Sequence, residues 1–172
     1  MKHLLWIAVT AWMMSGCTTQ PVPPLATVSS VDLELYSGKW IEVARYENRF
    51  EKGCISATAE YRLMGESVSV INRCFDGSGR SIGEAEGVAK VVENSHNAQL
   101  KVSFFWPFYG DYWIVMLGEG YRYSVVGDPK RKYLWILGRA HTLSPQDRKT
   151  ILEYLPSIGY DPTKLYWTKP LP

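Results

Sequence analysis

Histidine is scarce in this 172-residue chain, and so is cysteine, at three copies each. His3 lies in an N-terminal apolar stretch, so the remainder keeps only His96 and His141, neither with a metal-ligand partner at a recognised spacing. HExxH, CxxC and GxSxG are missing, and Gly77-Ser78-Gly79-Arg80-Ser81-Ile82 fails a GxGxxG match at its last position. An excess of one charge is missing too. A net charge of +2 is too small for a nucleic-acid partner, which needs a clustered basic face. No apolar run reaches the roughly 20 residues of a membrane-spanning helix, and no internal repeat or low-complexity tract occurs. These absences argue against a metalloenzyme, a dinucleotide-binding domain and a helical membrane protein. No catalytic residue, metal or cofactor is expected.

What is present starts at the N-terminus. Lys2 and His3 precede the apolar run Leu4 to Met14, which ends in Ser15-Gly16-Cys17. A positive start, a short apolar stretch and small residues before a cut site describe a secretory signal, here residues 1–16. Met14-Ser15-Gly16-Cys17 further resembles a bacterial lipobox, which implies acyl chains such as palmitate on Cys17. Thr18 in the following position, rather than Asp, resembles the signal for release to the outer membrane. Residues 17–30, with Pro21, Pro23 and Pro24, then read as an extended tether, since Pro-rich segments stay stretched.

With Cys17 assigned to lipid, Cys54 and Cys74 form an even pair in an oxidising compartment. If Ile55, Ala57, Ala59, Tyr61 and Leu63 share a face with Val68, Val70, Asn72 and Cys74, Cys54 points the other way. A direct bond then needs a bulge or an irregular strand start near Gly53. The alternatives are that bond and two free thiols.

Hydrophobic content of 46% and charged content of 21% are those of a packed domain rather than a disordered chain. From Gly38 onward the sequence alternates in short period-two runs: 39–47, 55–63, 67–75, 84–92, 98–105, 112–117, 121–127 and 132–139. Ala85, Gly87, Ala89 and Val91 against Glu84, Glu86 and Lys90 give one small apolar face and one charged face, as a strand buried on one side requires. Met64-Gly65-Glu66 and Gly118-Glu119-Gly120 are hairpin lengths. Eight antiparallel strands so joined predict an all-β, up-and-down barrel, because closure removes the edges an open sheet exposes. A two-sheet sandwich is the alternative.

After the eighth strand the period changes. Ser144 as N-cap, Pro145 in the first turn and Asp147 three residues on predict an α-helix. Its stripe of Ile151, Leu152, Leu155 and Ile158 should pack outside the barrel, and Pro156 should kink or end it. Residues 165–168 predict a short extra strand. Among carboxylates, Glu84 and Glu86 read as a solvated face. Glu42 shares parity with Trp40 and, if it faces inward, requires a partner.

Three stretches carry a resemblance. Asp32 to Tyr46, with Gly38-Lys39-Trp40 at its centre, resembles the G-x-W signature of lipocalins. Lys101 to Gly110 and Tyr133-Leu134-Trp135-Ile136-Leu137-Gly138-Arg139 resemble the bacterial outer-membrane lipoprotein group of that family. The likeness spans 31 to 169. Leu117-Gly118-Glu119-Gly120-Tyr121 departs from the family's Thr-Asp-Tyr motif, and Ile41 replaces the commoner aromatic. The resemblance implies a calyx over residues 31–172, closed at one end by a short helical turn near 31–36, with Trp40 and Arg139 in contact there as structural residues.

The stretch FFWPFYGDYW, residues 104–113, is then a loop at the calyx mouth with its flanking strand ends. Leu100, Val102, Phe104, Trp106, Phe108, Tyr109, Tyr112, Trp113 and Val115 are the expected ligand-binding residues, with Trp113 and Val115 facing inward. The resemblance implies a lipid-anchored protein of the outer membrane, barrel towards the periplasm. It would store or transport fatty acids or lysophospholipids for envelope maintenance, with a homodimer as one assembly. The competing readings are a carrier of another apolar ligand such as haem and a module whose aromatic mouth docks a protein or a membrane.

Overall fold

The computed structural model describes residues 23–171; the expected signal segment and Cys17 lie outside them. Tyr36 ends a one-turn helix, α1 (Leu33–Tyr36), capped by Asp32, whose carboxylate accepts from the Glu34 and Leu35 amides. Eight antiparallel strands follow: β1 (Gly38–Tyr46), β2 (Ser56–Met64), β3 (Ser67–Phe75), β4 (Ser81–Val91), β5 (Gln99–Phe105), β6 (Phe108–Leu117), β7 (Tyr123–Gly127) and β8 (Leu134–Gly138). Each pairs with the next in sequence, and β1 pairs with both β8 and β2, so the sheet closes into a barrel. A short β9 (Leu165–Trp167) adds to β1 at Ala44–Tyr46. The predicted up-and-down barrel is the fold.

Because successive strands reverse direction, the loops after β1, β3, β5 and β7 share one end, the mouth. Those after β2, β4 and β6 share the other with α1. Two differences from the sequence expectation bear on the site. Strand β6 starts at Phe108 rather than 112, and Phe105 pairs with Phe108, leaving Trp106-Pro107 as the turn. The aromatic run is therefore a tight hairpin and not a long loop, since rings have high strand propensity when neighbours can flank them. Residues 23–30 do not stand off as a tether: Leu25 is buried against the barrel, and the Val28 amide donates to the Ile114 carbonyl at 2.9 Å. Prolines fix their extension, but Leu25 and Val28 supply apolar surface that packs.

Two cores result from the alternation of side chains. Inside the barrel lie Trp40, Tyr61, Val70, Ala89, Leu100, Ile114, Val126 and Leu137, with Tyr36 and Val31 closing the end. Outside, the helix α2 (Pro145–Ser157) sets Ile151 and Leu155 on Val43, Val115, Val125, Leu134 and Ile136. Each such side chain, fully buried, contributes about 1.5–3 kcal/mol. Ser144 caps α2 by accepting from the Asp147 amide at 3.0 Å, and the helix stops one residue after Pro156. Tyr160 then returns the chain to the barrel, donating to the Asp128 carbonyl at 3.0 Å.

Candidate functional site: the barrel interior and its mouth

The closed end is built first. Gly38 holds φ +89°, a conformation that strains any residue with a Cβ, and so turns α1 into β1. Trp40 is fully buried, with its indole N–H donating to the Tyr36 carbonyl at 2.8 Å. The Arg139 guanidinium lies 3.8 Å from the Trp40 ring centroid and donates to the carbonyls of Leu35 at 2.7 Å, Lys39 at 2.9 Å and Ser37 at 3.0 Å. One planar cation thus satisfies carbonyls left free at the end of α1 and the start of β1. The Asp32 amide donates to the Tyr121 hydroxyl at 2.7 Å, fastening the cap to the loop between β6 and β7.

Above this plug lies a floor of hydroxyls. Tyr112 meets Tyr36 at 2.7 Å and Tyr61 at 2.9 Å, and Tyr36 meets Ser124 at 3.0 Å. Burial pushes the Tyr36 phenol up to about 12, and raises Tyr61 and Tyr112 as well. Three rings and a serine therefore form a neutral, hydrogen-bonded base rather than a reactive centre. Tyr112 among them is one of the expected ligand-binding residues. Alternation puts Tyr61 on one face with Ala57 and Ala59, which closure makes the inner one, while Tyr36 and Ser124 come from elements whose meeting depends on barrel closure.

A charged tier stands nearer the mouth. Glu42 faces inward and is buried, and Arg45 donates to it at 2.6 Å. A register shift between Glu42 and Ala44 puts Arg45 on the same side. Arg45 also donates to the Cys54 carbonyl at 2.9 Å and stacks on Tyr166, while the Trp135 indole donates to Glu51 at 2.9 Å. Burial drives the Glu42 carboxyl well above the usual carboxylate range and nearby Glu51 pushes the same way, against the pull of Arg45. The partner that Glu42 requires is thus Arg45, three residues away. Arg45 Nε and Asn72 Oδ1 are buried without a partner. A recess of about 270 Å³ opens beside this tier, lined by Arg45, Glu51, Cys54 and Tyr166 among others.

Cys54 and Cys74 are disulfide-bonded, their Cα atoms 5.2 Å apart. Strand β2 starts only at Ser56, after a 3₁₀ turn at Arg49–Glu51 and a positive φ of 88° at Gly53. That irregular start lets Cys54 reach the inner-face Cys74.

Strand β4 leaves the upper interior open. Gly83, Ala85 and Gly87 alternate onto its inner face in line with the buried Ala89, yet Gly83 and Ala85 are exposed to solvent. Pairing of β4 with β5 covers only Val88–Val91, so the wall above it flares. The Phe104 ring lies across Gly87, where a Cβ would approach it to 2.7 Å.

Among the expected ligand-binding residues, Leu100 and Val102 face the interior and are buried there, with Tyr112 beside them. Phe104 sits at the rim, and Tyr109, Trp106 and Phe108 are exposed to solvent. Trp113 and Val115 are corrected: both point outward into the core beneath α2, while Tyr112 and Ile114 point in. The pairing of Tyr112 with the inward Leu100 fixes the inner face of β6, and regular alternation from 112 to 115 then sends Trp113 and Val115 outward, a choice of face that the alternation in the sequence leaves open. Among the described residues, no group of His, Cys, Asp or Glu side chains is placed to hold a metal ion.

Comparisons with known proteins agree with this architecture. The lipocalin-like domain family matches residues 31–170. The outer membrane lipoprotein Blc of Citrobacter freundii is 37% identical over 165 residues, covering 94% of this chain and 93% of that protein. The Escherichia coli K12 protein of the same name is 36% identical, covering 96% and 95%. Temperature-induced lipocalin-1 of Arabidopsis thaliana is 32% identical, covering 84% and 82%. Insecticyanin from Manduca sexta shares the fold with a TM-score of 0.70 at 19% identity, over 87% of this chain and 86% of that one. A barrel plugged by α1, sealed by Trp40 and Arg139, open at its far end and matched over its whole length makes this chain a member of the lipocalin family, whose proteins bind small hydrophobic ligands.

Proposed function

We propose that this protein is a lipid-anchored lipocalin of the outer membrane that binds fatty acids or lysophospholipids in its barrel and stores or carries them for envelope maintenance. The observation that carries the reading is the gradient along the barrel axis. A floor of tyrosine rings gives way to apolar walls of Leu100, Val102, Val70 and Ala89, then to a wall of Gly83 and Ala85 open to solvent and the buried, hydrogen-bonded pair Glu42 and Arg45. An amphipathic lipid has the same order, with an acyl chain for the walls and a polar head for the upper tier. Each buried CH₂ contributes about 0.8 kcal/mol, so a long chain reaches micromolar affinity even after the costs of association. The relatives named outer membrane lipoproteins support the location, as does the Cys17 pattern.

The test is a titration of intrinsic Trp fluorescence in delipidated protein with oleate and with lysophosphatidylcholine, each below its micelle concentration. Saturation near one ligand per chain is expected, and Ala85→Trp, which fills the open wall, should weaken it about tenfold or more, as loss of two or three buried methylenes would. A folded protein that responds to neither lipid overturns the reading.

A further inference from the structure

The proposed carrier uses the interior of the barrel and leaves its rim unexplained. Phe105, Trp106 and Phe108 are 79%, 81% and 73% exposed at the tip of the β5–β6 hairpin, and Phe50 on the β1–β2 loop is 66% exposed at the same end. Soluble surfaces rarely gather this much bare ring without a partner. The residues around them are basic. Arg49, Lys52, Lys130 and Lys132 are exposed on the mouth loops and Arg80 pairs with Asp76, while of the other acidic groups there only Glu47 is exposed: Asp128 is buried and Glu51 accepts from Asn48 and Trp135. At the opposite end Asp32, Glu34, Glu66, Glu93 and Glu119 are exposed, against Lys39, Lys90 and the engaged Arg62, Arg122 and Arg139. The barrel is therefore polarised, with a basic, aromatic mouth and an acidic base.

The chain's path adds a second constraint. The Pro23 carbonyl accepts from Arg131 on the β7–β8 loop, so the described chain begins at the mouth. Cys17 is six residues earlier, a reach of at most about 20 Å at roughly 3.3–3.6 Å per residue. The barrel with its cap is longer than that, since a nine-residue strand such as β1, tilted as barrel strands are, already spans roughly 20–24 Å along the axis, and α1 lies beyond its start. An anchor on Cys17 brings the mouth to the membrane and does not reach past the acidic base.

We propose that the mouth is a membrane-docking face, with Phe105, Trp106 and Phe108 seated in the interfacial layer of an anionic phospholipid bilayer and the basic loops over its headgroups. Trp and Phe favour that layer, where a ring can be dry and an indole N–H wet. Lys and Arg beside them gain from the negative surface potential. Two copies meeting mouth to mouth would bring like charges together, which disfavours a second copy as the occupant. The orientation rests on the reading of Cys17 as the lipid anchor, and the docking would place the open wall of β4 where lipid can pass between bilayer and barrel.

The experiment reconstitutes the mature protein into vesicles of phosphatidylglycerol and phosphatidylethanolamine carrying brominated acyl chains. Trp quenching is compared between the native chain and Trp106→Phe. The expected result is a quenched component that disappears in Trp106→Phe and is abolished by Phe105→Glu with Phe108→Glu, while the melting temperature of each variant is kept. Removing Lys130 or Lys132 should weaken association with anionic vesicles about fivefold each, and less at high salt. The mass of the mature chain reports acylation separately; a chain found without acyl groups is mixed with the same vesicles and read in the same way. Anchored protein whose Trp106 is unquenched overturns the proposal and leaves the anchor standing, and self-association through the hairpin without quenching overturns it in favour of a second copy.

Discussion

Replacing Arg139 by Ala should lower the melting temperature without changing ligand stoichiometry. The guanidinium stacks on Trp40 at 3.8 Å and donates to the carbonyls of Leu35 and Lys39 at 2.7 and 2.9 Å. A cation–π contact near the surface contributes about 1 kcal/mol. Two charge-assisted hydrogen bonds add about 1.5 kcal/mol each at the low end of their range. Water replaces part of this, because Leu35 and Lys39 are exposed, which leaves a net loss of about 2–3 kcal/mol. For a domain of this size each kcal/mol shifts the midpoint by about 2–4 °C, so a drop of roughly 4–12 °C follows. Arg139→Lys should recover less than half, since an ammonium keeps the charge but cannot reach several carbonyls in one plane. The assay is calorimetry together with lipid titration, which separates a plug from a binding residue. An unchanged midpoint in Arg139→Ala refutes the reasoning, and so does a lost stoichiometry at full stability.

Reducing the Cys54–Cys74 bond releases a loop with a sequence separation of 20 and should cost about 3 kcal/mol by chain entropy, measured as a shift in urea midpoint between native protein and Cys54→Ser with Cys74→Ser. The phenols of Tyr36, Tyr61 and Tyr112 are raised by burial, so the folded state keeps protons that the unfolded chain gives up near pH 10; stability should be full below that pH and fall as pH rises past it, with these rings ionising at 295 nm only as the protein unfolds. Arg122 holds the Asp147 carboxyl below its ordinary value through bonds of 2.6 and 2.9 Å. The stability difference between native protein and Asp147→Asn should then be complete above about pH 4 and disappear as pH falls through the lowered value, while a difference that is flat down to pH 2 contradicts the pairing. Trp113→Glu should unfold or strongly destabilise the chain rather than selectively abolish ligand binding, because Trp113 packs in the core under α2; a stable variant that binds no lipid would return Trp113 to the interior.

The architecture is legible in the residue pattern alone. Period-two runs with short polar connections require antiparallel neighbours, and the Ser144-Pro145 start with Ile151 and Leu155 on one stripe requires a helix with one dry face; both are local patterns that survive without knowing what they touch. Gly38 and Trp40 were legible only through their likeness to the G-x-W signature of lipocalins. What the tertiary structure alone decided is which face of each strand looks inward once register shifts intervene. The shift between Ile114 and Met116 keeps Met116 with Val115 under the helix and returns Leu117 to the interior, and the shift after Glu42 turns Arg45 towards it. The hydroxyl floor likewise joins Tyr36, Tyr61, Tyr112 and Ser124 from four elements up to 88 residues apart. A bulge moves every later side chain to the other face while leaving the residue order untouched, so the site's composition is written in the sequence and its orientation only in the closed barrel.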